Sequence, residues 1–396
     1  MRALKVLKPI LTCLLANLTI FAWAKDTTQF VVGIGTIYDD NLLRVAEGRP
    51  PFDGSYDDIM VTSTAGLKYD RLIGRQRVIA DLAVTKVAFK NFTHLNYYGR
   101  DLSAAWHWLL SPKVEGKLEL RNELVLAPYT DFTSSERNIR RDQHMLFDAT
   151  WHVIPQIDAR VAVFRNTFDY EAPIQRLNNR RERTVEIEGV YLPKSGSRLG
   201  LMARRVTGRY PFVPESNDNS TVSRFTQDEF KLKLTWVPSG HTRVDADAGW
   251  ARRNHRSLRP RDVSGLIGNV SVDYARSKTT LKLTAWRSFE PTEGTVPSFT
   301  TNKGLGANAN WAVSSRIQTR AGVKIEHREY DPRLSFRSSE VPRDRLSEAT
   351  VSVIYSLSRK IKVTSGFTRQ RRTGAESVRT GRSKSNSFQV GVIATF

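Results

Sequence analysis

The chain ends with the stretch Gln389-Val390-Gly391-Val392-Ile393-Ala394-Thr395-Phe396. Counting back from Phe396, apolar side chains occupy every second position, at Ala394, Val392, Val390 and Phe388. A period of two is the side-chain period of a β-strand, so one face of this segment is apolar and the other is not. The last residues therefore predict a terminal strand that exposes an apolar face and ends on an aromatic side chain.

This ending resembles the targeting signal of Gram-negative outer-membrane β-barrels, whose last strand is read by the barrel-assembly machinery. The resemblance implies that an assembly signal lies at Gln389, Gly391, Ala394 and Phe396. The alternative is the terminal strand of an ordinary soluble sheet. The two interpretations differ in where the apolar face points, towards lipid or towards a protein core.

The amino terminus predicts export. Arg2, Lys5 and Lys8 precede a mostly apolar run, and Ala22-Trp23-Ala24 fits a small-x-small cleavage site. We therefore predict a signal peptide over 1–24 and one mature domain over 25–396. Cleavage removes Cys13, the chain's one cysteine, so neither disulfides nor thiolate metal sites are expected in the mature protein. A lipid anchor at Cys13 is a poor alternative, because cleavage there would divide the apolar run.

The net charge of +21 points to anionic partners. Removal of the predicted leader takes away three bases and no acid, so the mature chain stays strongly positive. The sequence has no helix-turn-helix, zinc or aromatic RNA-binding pattern, so no nucleic acid partner is expected. An exported basic protein instead predicts contact with polyanionic glycan or with lipopolysaccharide in the outer membrane.

Alternating segments recur along the whole mature chain. Phe230, Leu232, Leu234 and Trp236 share one face, with Lys231 and Lys233 on the other. Tight turns and longer polar loops separate these segments in strict succession. The turns are expected near 72–74, 111–112, 155–156, 193–196, 238–240, 276–277, 314–315 and 358–359. The loops are expected near 39–57, 91–95, 128–141, 170–181, 209–224, 254–261, 290–300, 331–343 and 372–384.

This spacing predicts an all-β fold, a closed antiparallel transmembrane β-barrel over roughly 28–396. Eighteen strands put both termini on the periplasmic side, with short periplasmic turns and longer extracellular loops. Sixteen strands are possible if the short loop near 91–95 is not a true connection. A β-helix, propeller or lectin-like sandwich is the competing fold. Interfacial girdles account for the aromatic side chains near strand ends, which are Trp106, Trp108, Trp151, Trp236, Trp250, Trp286, Trp311, Tyr69, Tyr191, Tyr274 and Tyr355.

The sequence contains few patterns that are typical of catalytic, cofactor-binding or metal-binding sites. It lacks an HExxH spacing, a GxSxG elbow and a phosphate-binding glycine loop, so we expect neither an enzyme nor a cofactor. His144 and His152 near one strand leave a barrel hydrolase as a weak alternative. The carboxylate pairs Asp39-Asp40 and Asp57-Asp58 could hold Ca²⁺, although solvated turn residues are the simpler interpretation.

Basic residues form two kinds of group. The first kind is clustered in predicted loops and is expected to dock lipopolysaccharide phosphates or, less well, to capture substrate; its members are Arg137, Arg140, Arg141, Arg176, Arg180, Arg181, Arg183, Arg252, Arg253, Arg256, Arg259 and Arg261. The second kind shares the polar faces of strands and is expected to line a water-filled lumen. Its members are Lys113, Lys117, Arg121, Lys231, Lys233, Arg243, Arg316, Arg320, Lys324, Lys360 and Lys362, interspersed with Glu115, Glu119, Asp245, Asp247 and Glu326.

The segment Gly33-Ile34-Gly35-Thr36-Ile37-Tyr38-Asp39-Asp40-Asn41-Leu42-Leu43-Arg44 resembles the start of the mature region in EpsL-type outer-membrane proteins of exopolysaccharide operons, which are similar to β-barrel porin families. Leu43 stands where an aromatic residue would be expected. The resemblance implies a role in the biosynthesis or export of an extracellular polysaccharide and implies no catalytic residues. Together with the cations expected to line the lumen, it predicts a conduit or accessory channel for a polysaccharide that is expected to be acidic. The alternatives are a general or anion-favouring nutrient porin and, more weakly, a barrel enzyme that modifies glycan or lipid.

Overall fold

The alternating segments form eighteen antiparallel strands in the computed structural model of the chain. The structure describes residues 28–213, 223–255, 262–292, 298–330, 341–374 and 380–396. Each strand pairs with its sequence neighbours, and β1 pairs with both β2 and β18, so the sheet closes on itself. The closed barrel confirms the predicted fold, and a sandwich with open sheet edges is wrong.

The strands are β1 (Thr28–Asp39), β2 (Asp58–Ile73), β3 (Gln76–Phe89), β4 (Tyr97–Ser111), β5 (Val114–Leu126), β6 (Ile139–Ile154), β7 (Ile157–Tyr170), β8 (Arg180–Tyr191), β9 (Arg198–Arg209), β10 (Arg224–Ser239), β11 (Thr242–His255), β12 (Val263–Arg276), β13 (Thr279–Thr292), β14 (Ser298–Ala312), β15 (Ile317–Tyr330), β16 (Arg343–Ser356), β17 (Ile361–Arg372) and β18 (Ser383–Thr395). Short 3-10 helices occupy Phe52–Gly54, Thr93–Leu95 and Pro173–Asn178 in the connections.

Turn chemistry fixes the predicted ends of the strands. All eight predicted tight turns fall between consecutive strands. Gly74 and Gly196 adopt φ values of +62° and +77° in two of them, a region that glycine enters at no steric cost. The connection that follows β3 is real, because β3 ends at Phe89 and β4 begins at Tyr97. The sixteen-strand alternative is therefore wrong.

The two faces of each strand meet different surroundings. On β10, Phe230 and Trp236 are 60% and 52% exposed on the outer surface, whereas Lys231 on the opposite face is largely covered. Charged side chains cannot line the lipid face at the membrane centre without a heavy cost, so the apolar rows face lipid. The described residues contain no helix long and apolar enough to cross a membrane.

Most of the outward aromatic residues of the predicted girdle lie near the periplasmic turns, whereas Trp250 lies nearer the extracellular end of β11. Trp286 is an exception of another kind, because it does not face outwards. Its position on β13 pairs with Gly304, on the face that points into the barrel. The indole lies against Gly304, where a Cβ atom would come within 2.1 Å of Trp286 Cζ2, and the Lys324 ammonium lies 5.3 Å from the ring centroid. The girdle prediction for Trp286 is therefore wrong.

The terminal strand closes the barrel by direct pairing with β1. Gly35 pairs with Gly391, and Phe396 exchanges two backbone hydrogen bonds with Phe30. Phe396 and Ala394 face outwards, whereas Gln389 and Gly391 share the inner face. The role of these residues as an assembly signal stays a prediction, and the proposed leader lies outside the described residues.

Deletion of Phe396 is expected to reduce the amount of folded protein in the outer membrane. The deletion removes the exposed terminal ring and the two backbone bonds to Phe30, so both recognition and closure would weaken. The measurement is the fraction of heat-modifiable protein in isolated outer membranes, alongside periplasmic degradation products. The control is Phe396→Tyr, because this substitution keeps an aromatic side chain at the carboxyl terminus. Wild-type levels after deletion would show that Phe396 is not needed.

Candidate pore constriction

Three loops from the extracellular end fold back into the barrel. We call them L1 (40–57), L2 (90–96) and L3 (127–138), after the order of the strands they connect. They contribute buried apolar side chains to one cluster with the inner wall, whose loop members are Leu42, Leu43, Val45, Phe92, Leu95 and Tyr129. The wall members include Ile37, Met60 and Val87. Full burial of each large apolar side chain contributes roughly 1.5–3 kcal/mol, so these loops are held in place.

Asp39 holds the beginning of L1. Its fully buried carboxylate accepts hydrogen bonds from Arg44 at 3.0 Å and from the hydroxyls of Ser385 and Ser387 at 3.0 and 2.7 Å. Arg44 has a φ of 56°, so the chain reverses sharply and brings the guanidinium back to the carboxylate. The motif that carries the resemblance to exopolysaccharide proteins thus joins L1 to the seam between β1 and β18.

Asp58 holds L2 in the same way. Its carboxylate accepts the backbone N–H groups of Lys90, Asn91 and Phe92 at 2.8–3.0 Å. Asp40 bonds the side chain and backbone N–H of Asn386. The paired carboxylates are therefore structural, and the described residues contain no group of three or more His, Cys, Asp or Glu side chains placed to hold a metal ion.

L3 reaches a distant part of the wall. It leaves β5, yet Asp131 pairs with Arg328 on β15 at 2.8 Å and with Arg372 on β17 at 3.3 Å. The carbonyl oxygen of Thr130 also accepts a hydrogen bond from Arg372. Eight strand-to-strand steps separate β5 from β15 by the shorter way round the barrel. L3 therefore crosses the lumen, and it narrows the pore at the level of these two arginines.

Both arginines also have hydrogen-bond partners on the barrel wall. Arg328 donates to Glu326 at 2.7 Å, and Arg372 donates to Asp344 and to the Tyr330 hydroxyl. All three partners of the contact are largely buried, with side-chain exposures of 13% for Asp131, 9% for Arg328 and 5% for Arg372. Each guanidinium reaches the same oxygen, Asp131 Oδ1, through one nitrogen. Because charge-assisted contacts gain strength when water is excluded, this pair of contacts anchors L3.

The Asp131 carboxyl predicts how the constriction responds to pH. Burial acts to raise its pKa, but the charges of Arg328 and Arg372 outweigh burial and lower the pKa below its ordinary value. A carboxylate with a lowered pKa stabilises docking above its ordinary pKa of about 3.9, and that stabilisation is lost only as the pH falls through the lowered value. We expect constant single-channel conductance from about pH 7 to pH 5 and an increase only at pH values below the ordinary carboxyl pKa of about 3.9. A conductance rise between pH 7 and pH 5 would contradict this role for Asp131.

The lumen wall from β6 to β11 carries an ion-pair network. Arg160 contacts Glu186 at 3.3 Å and Glu188 at 3.2 Å and also pairs with Asp148, while Lys233 reaches Glu188 at 2.8 Å. The network continues through the contacts of Arg204 with Glu186 and Glu229 and of Lys231 with Glu229 and Asp247. Acids and bases alternate closely along this wall, so its charges largely cancel.

The opposite wall is different. Strand β17 lies nine steps from β8 in the ring. Lys362 on β17 and Arg320 on β15 point inwards beside amide and hydroxyl side chains such as Gln318 and Ser352. Among the described residues, no acid occupies an inward strand position on β14, β17 or β18. The lumen therefore has a more basic wall facing a wall whose acids and bases are paired with each other.

The structure divides the predicted lumen residues into two sets. Three lie in or beside periplasmic turns, namely Lys113, Arg316 and Lys360. The others take inward strand positions, which are Lys117, Arg121, Lys231, Lys233, Arg243, Arg320, Lys324 and Lys362. Most inward members pair with a neighbouring acid, for example Lys117 with Glu119 at 2.6 Å and Lys324 with Glu326 at 2.8 Å. Their part in a transport pathway stays a prediction.

The loop arginines do not form one kind of surface. Arg180 stacks on Phe168 at 3.9 Å and Arg253 on Phe225 at 3.7 Å, both inside the barrel. Arg140 is also buried on the inner face, and Arg137 pairs with Glu171 at 2.5 Å. The prediction that these loop clusters act as common docking surfaces is therefore wrong for Arg140, Arg180 and Arg253. Arg256, Arg259 and Arg261 lie outside the described residues, and Arg141, Arg181, Arg183 and Arg252 take outward strand positions.

The two candidate histidines have other partners. His144 forms a 2.6 Å hydrogen bond with Asn166, and His152 contacts Asp158 at 2.6 Å and Glu115 at 3.6 Å. These contacts place amide and carboxylate groups, rather than a serine nucleophile, against the imidazole rings. The geometry gives each histidine a structural partner in the wall.

Comparison with known proteins supports the fold. Residues 234–396, which are less than half of the chain, match the family model described as "Putative beta-barrel porin 2". No curated protein matches the chain significantly. The structure is similar to that of Acinetobacter baumannii OccAB3, with a TM-score of 0.50, 10% identity, and coverage of 93% of this chain and 99% of that one. It is equally similar to Pseudomonas aeruginosa OccK2 (OpdF), with a TM-score of 0.50, 11% identity, and coverage of 93% and 98%. The chain thus has the fold of a Gram-negative outer-membrane, porin-like barrel.

Proposed function

We propose that this protein is an outer-membrane porin that lets small hydrophilic solutes diffuse through a lumen narrowed by L3. The observation that carries the proposal is the contact of Asp131 with Arg328 and Arg372 across the barrel. Eighteen strands enclose an aqueous channel rather than a packed core. A loop anchored across such a channel sets an upper size for what passes.

The charges of the lumen favour solutes with little net charge. The wall from β6 to β11 is close to balanced through pairs such as Arg160 with Glu186, so it attracts neither anions nor cations strongly. The wall that carries Lys362 and Arg320 is more basic and faces this balanced network across the lumen. A field across the lumen orients dipolar and zwitterionic molecules, so we extend the proposal to small polar solutes of that kind.

An exopolysaccharide conduit is the competing proposal. It rests on the resemblance of Gly33–Arg44, and the contacts of Asp39 give that segment a role in closing the barrel. A polymer would need a continuous wide path, whereas the cluster around Leu43, Phe92 and Tyr129 occupies one side of the mouth. We therefore favour the porin, and we propose no catalytic activity.

Two assays separate these proposals. Proteoliposomes that contain the purified protein should swell in small sugars and amino acids, and the swelling rate should fall steeply as the solute grows from a monosaccharide to a tetrasaccharide. Empty liposomes are the control. A deletion strain should still export normal amounts of extracellular polymer. Loss of polymer, with no permeability to small solutes in the liposomes, would favour the conduit and contradict the porin.

A further inference from the structure

A flat aromatic surface lies on the lumen wall just below the constriction. Trp286 on β13 pairs with Gly304 on β14, and Gly304 pairs with Glu326 on β15. Because β15 begins at a periplasmic turn, Glu326 lies on the periplasmic side of Arg328, which holds Asp131 of L3. A solute that has passed L3 on its way to the periplasm therefore comes within reach of the Trp286 indole.

Two glycines let this ring lie flat against the wall. A Cβ atom on Gly304 would come within 2.1–2.6 Å of three carbons of the Trp286 indole, so only glycine fits beneath the ring. A Cβ atom on Gly306 would lie 3.7 Å from Cζ3, so the ring extends over this second glycine as well. The indole is half-buried. One face of the ring therefore rests on the backbone of β14, and the other is turned to the lumen.

Polar side chains surround the edge of the ring. Asn269 on β12 pairs in register with Trp286, and Thr284 follows on the same face of β13. Within the described part of the chain, no side-chain hydrogen bond engages either Asn269 or Thr284. The Lys324 ammonium lies 5.3 Å from the ring centroid, and Glu326 holds it at 2.8 Å while leaving further N–H groups available. The ring thus has hydrogen-bond donors and acceptors beside it.

This combination matches the chemistry of a pyranose sugar. The C–H groups on one face of a pyranose form an apolar, weakly positive patch, whereas the face of an indole is apolar and negative. The hydroxyl groups project from the edge of the sugar, and each can donate and accept a hydrogen bond. The amide of Asn269 and the hydroxyl of Thr284 can do both, and Lys324 can donate.

Other solutes fit this surface less well. A small cation is disfavoured, because Lys324 already places a positive charge beside the indole. A flat aromatic solute could stack on the ring, but it would take water from the polar groups at the edge without replacing their hydrogen bonds.

We propose that Trp286, with Asn269, Thr284 and Lys324 at its edge, is a stacking site for pyranose sugars in the pore. The proposal rests on the proposed porin function and adds the substrate class, which is neutral saccharides. Stacking on one ring binds a sugar weakly, and weak binding suits conduction because a tightly bound solute would not leave the pore.

The test is planar-bilayer recording of the full-length protein with maltose, a disaccharide of two pyranose rings. Maltose should reduce the ion current through the wild-type pore in a saturable manner. Trp286→Leu keeps an apolar side chain over Gly304 but removes the flat ring, so it should raise the half-saturating maltose concentration by at least about tenfold. Trp286→Phe keeps a smaller aromatic face and should raise that concentration by no more than about threefold.

Trp250→Leu is the matched control. Its indole is 57% exposed on the outer face of β11, so the maltose response should stay at the wild-type value. Asn269→Ala tests the edge of the site and leaves the ring and its glycine support unchanged. It should raise the half-saturating maltose concentration by about threefold or more, and it keeps the test decisive if Trp286→Leu does not fold. Heat-modifiable mobility on gels shows whether each variant is folded.

Two further solutes separate the possible outcomes. Nicotinamide, a neutral flat aromatic solute, should reduce the wild-type current less than maltose does at equal concentration, and a stronger effect of nicotinamide would overturn the assignment to sugars. A polyethylene glycol of similar mass has neither a stacking face nor a hydroxyl edge, so it should lower the conductance of the wild-type protein and of Trp286→Leu equally. If the pore admits this polymer but maltose has no saturable effect, or has an unchanged effect in folded Trp286→Leu, the sugar site is wrong and the porin stands. A protein that forms no conducting pore would overturn both proposals.

Discussion

Replacing Asp131 by Asn is expected to release L3 from the opposite wall and to raise the mean conductance and the current noise of single channels. The change removes the carboxylate charge that L3 presents to Arg328 and Arg372, so these two largely buried guanidinium groups lose that partner. Arg328 keeps Glu326 and Arg372 keeps Asp344, so neither buried charge is left unpaired, and we expect docking to weaken by about 1.5–3 kcal/mol. A loss of that size shifts the docking equilibrium of L3 towards the undocked state.

Glu136→Gln is the matched control for this prediction. It removes one negative charge from the same loop, but its side chain is exposed, so docking should be unaffected. The pH response described above offers a second check, because the increase in conductance at pH values below the ordinary carboxyl pKa should disappear in the Asp131→Asn variant. Equal conductance and noise in the wild-type protein and in both variants would mean that Asp131 does not hold the constriction.

Asp39→Ala is expected to produce the largest loss of barrel stability among single changes at the seam. The fully buried carboxylate joins Arg44 of L1 to Ser385 and Ser387 of β18, so its removal weakens both L1 and the closure between the first and last strands. Because Arg44 stays largely buried beside the lost partner, we expect the free energy of unfolding to fall by about 3 kcal/mol. The measurement is the midpoint of urea unfolding in detergent, followed by heat-modifiable mobility.

Asp40→Ala separates this effect from the loss of any carboxylate at the end of β1. Asp40 is half-buried and bonds Asn386, so its removal should cost about 1 kcal/mol. A similar shift in the two midpoints would show that the network around Asp39 adds nothing beyond an ordinary hydrogen bond. Asp39→Asn should lie between the two, since an amide keeps part of the hydrogen bonding.

The sequence predicts the strands because strand structure is a local property. Alternation along Phe230–Trp236 and a turn residue such as Gly74 are enough to mark a strand and its end. Counting those turns yields the number of strands, and an even number places both termini at one end. The barrel was therefore predictable from features that repeat every ten to fifteen residues, which need no knowledge of distant contacts.

The constriction was not predictable, because its contacts join residues far apart in the chain. Asp131 is an ordinary loop aspartate in the sequence, and its partners Arg328 and Arg372 follow about two hundred residues later. Only the closed ring brings β15 and β17 within reach of L3. The inward position of Trp286 could not be predicted from hydropathy. Its neighbours at the alternate positions include cations such as Arg287, so the apolar indole looks like the outward residue of this part of β13.

That same alternation could have revealed the lipid-facing cations. Lys303 has the outward register of Leu305, and Arg345 pairs with His327 on the outward register of Ile325, so the sequence places both cations on the apolar face near extracellular loops. A charge there is tolerated only at the height of the lipid headgroups. Clustering of arginines in the sequence suggests loops, whereas their register along the strands shows which of them lie on the outward face.

The most direct test of the constricted pore is single-channel recording of the wild-type protein beside a variant in which Gly-Gly replaces residues 129–136. We expect discrete conductance steps for the wild-type protein and steps at least about twice as large for the shortened variant, because the loop across the lumen limits the current. Asp131→Asn should give an intermediate value. Identical steps in the wild-type protein and the shortened variant, or no steps in either, would contradict a pore that is narrowed by L3.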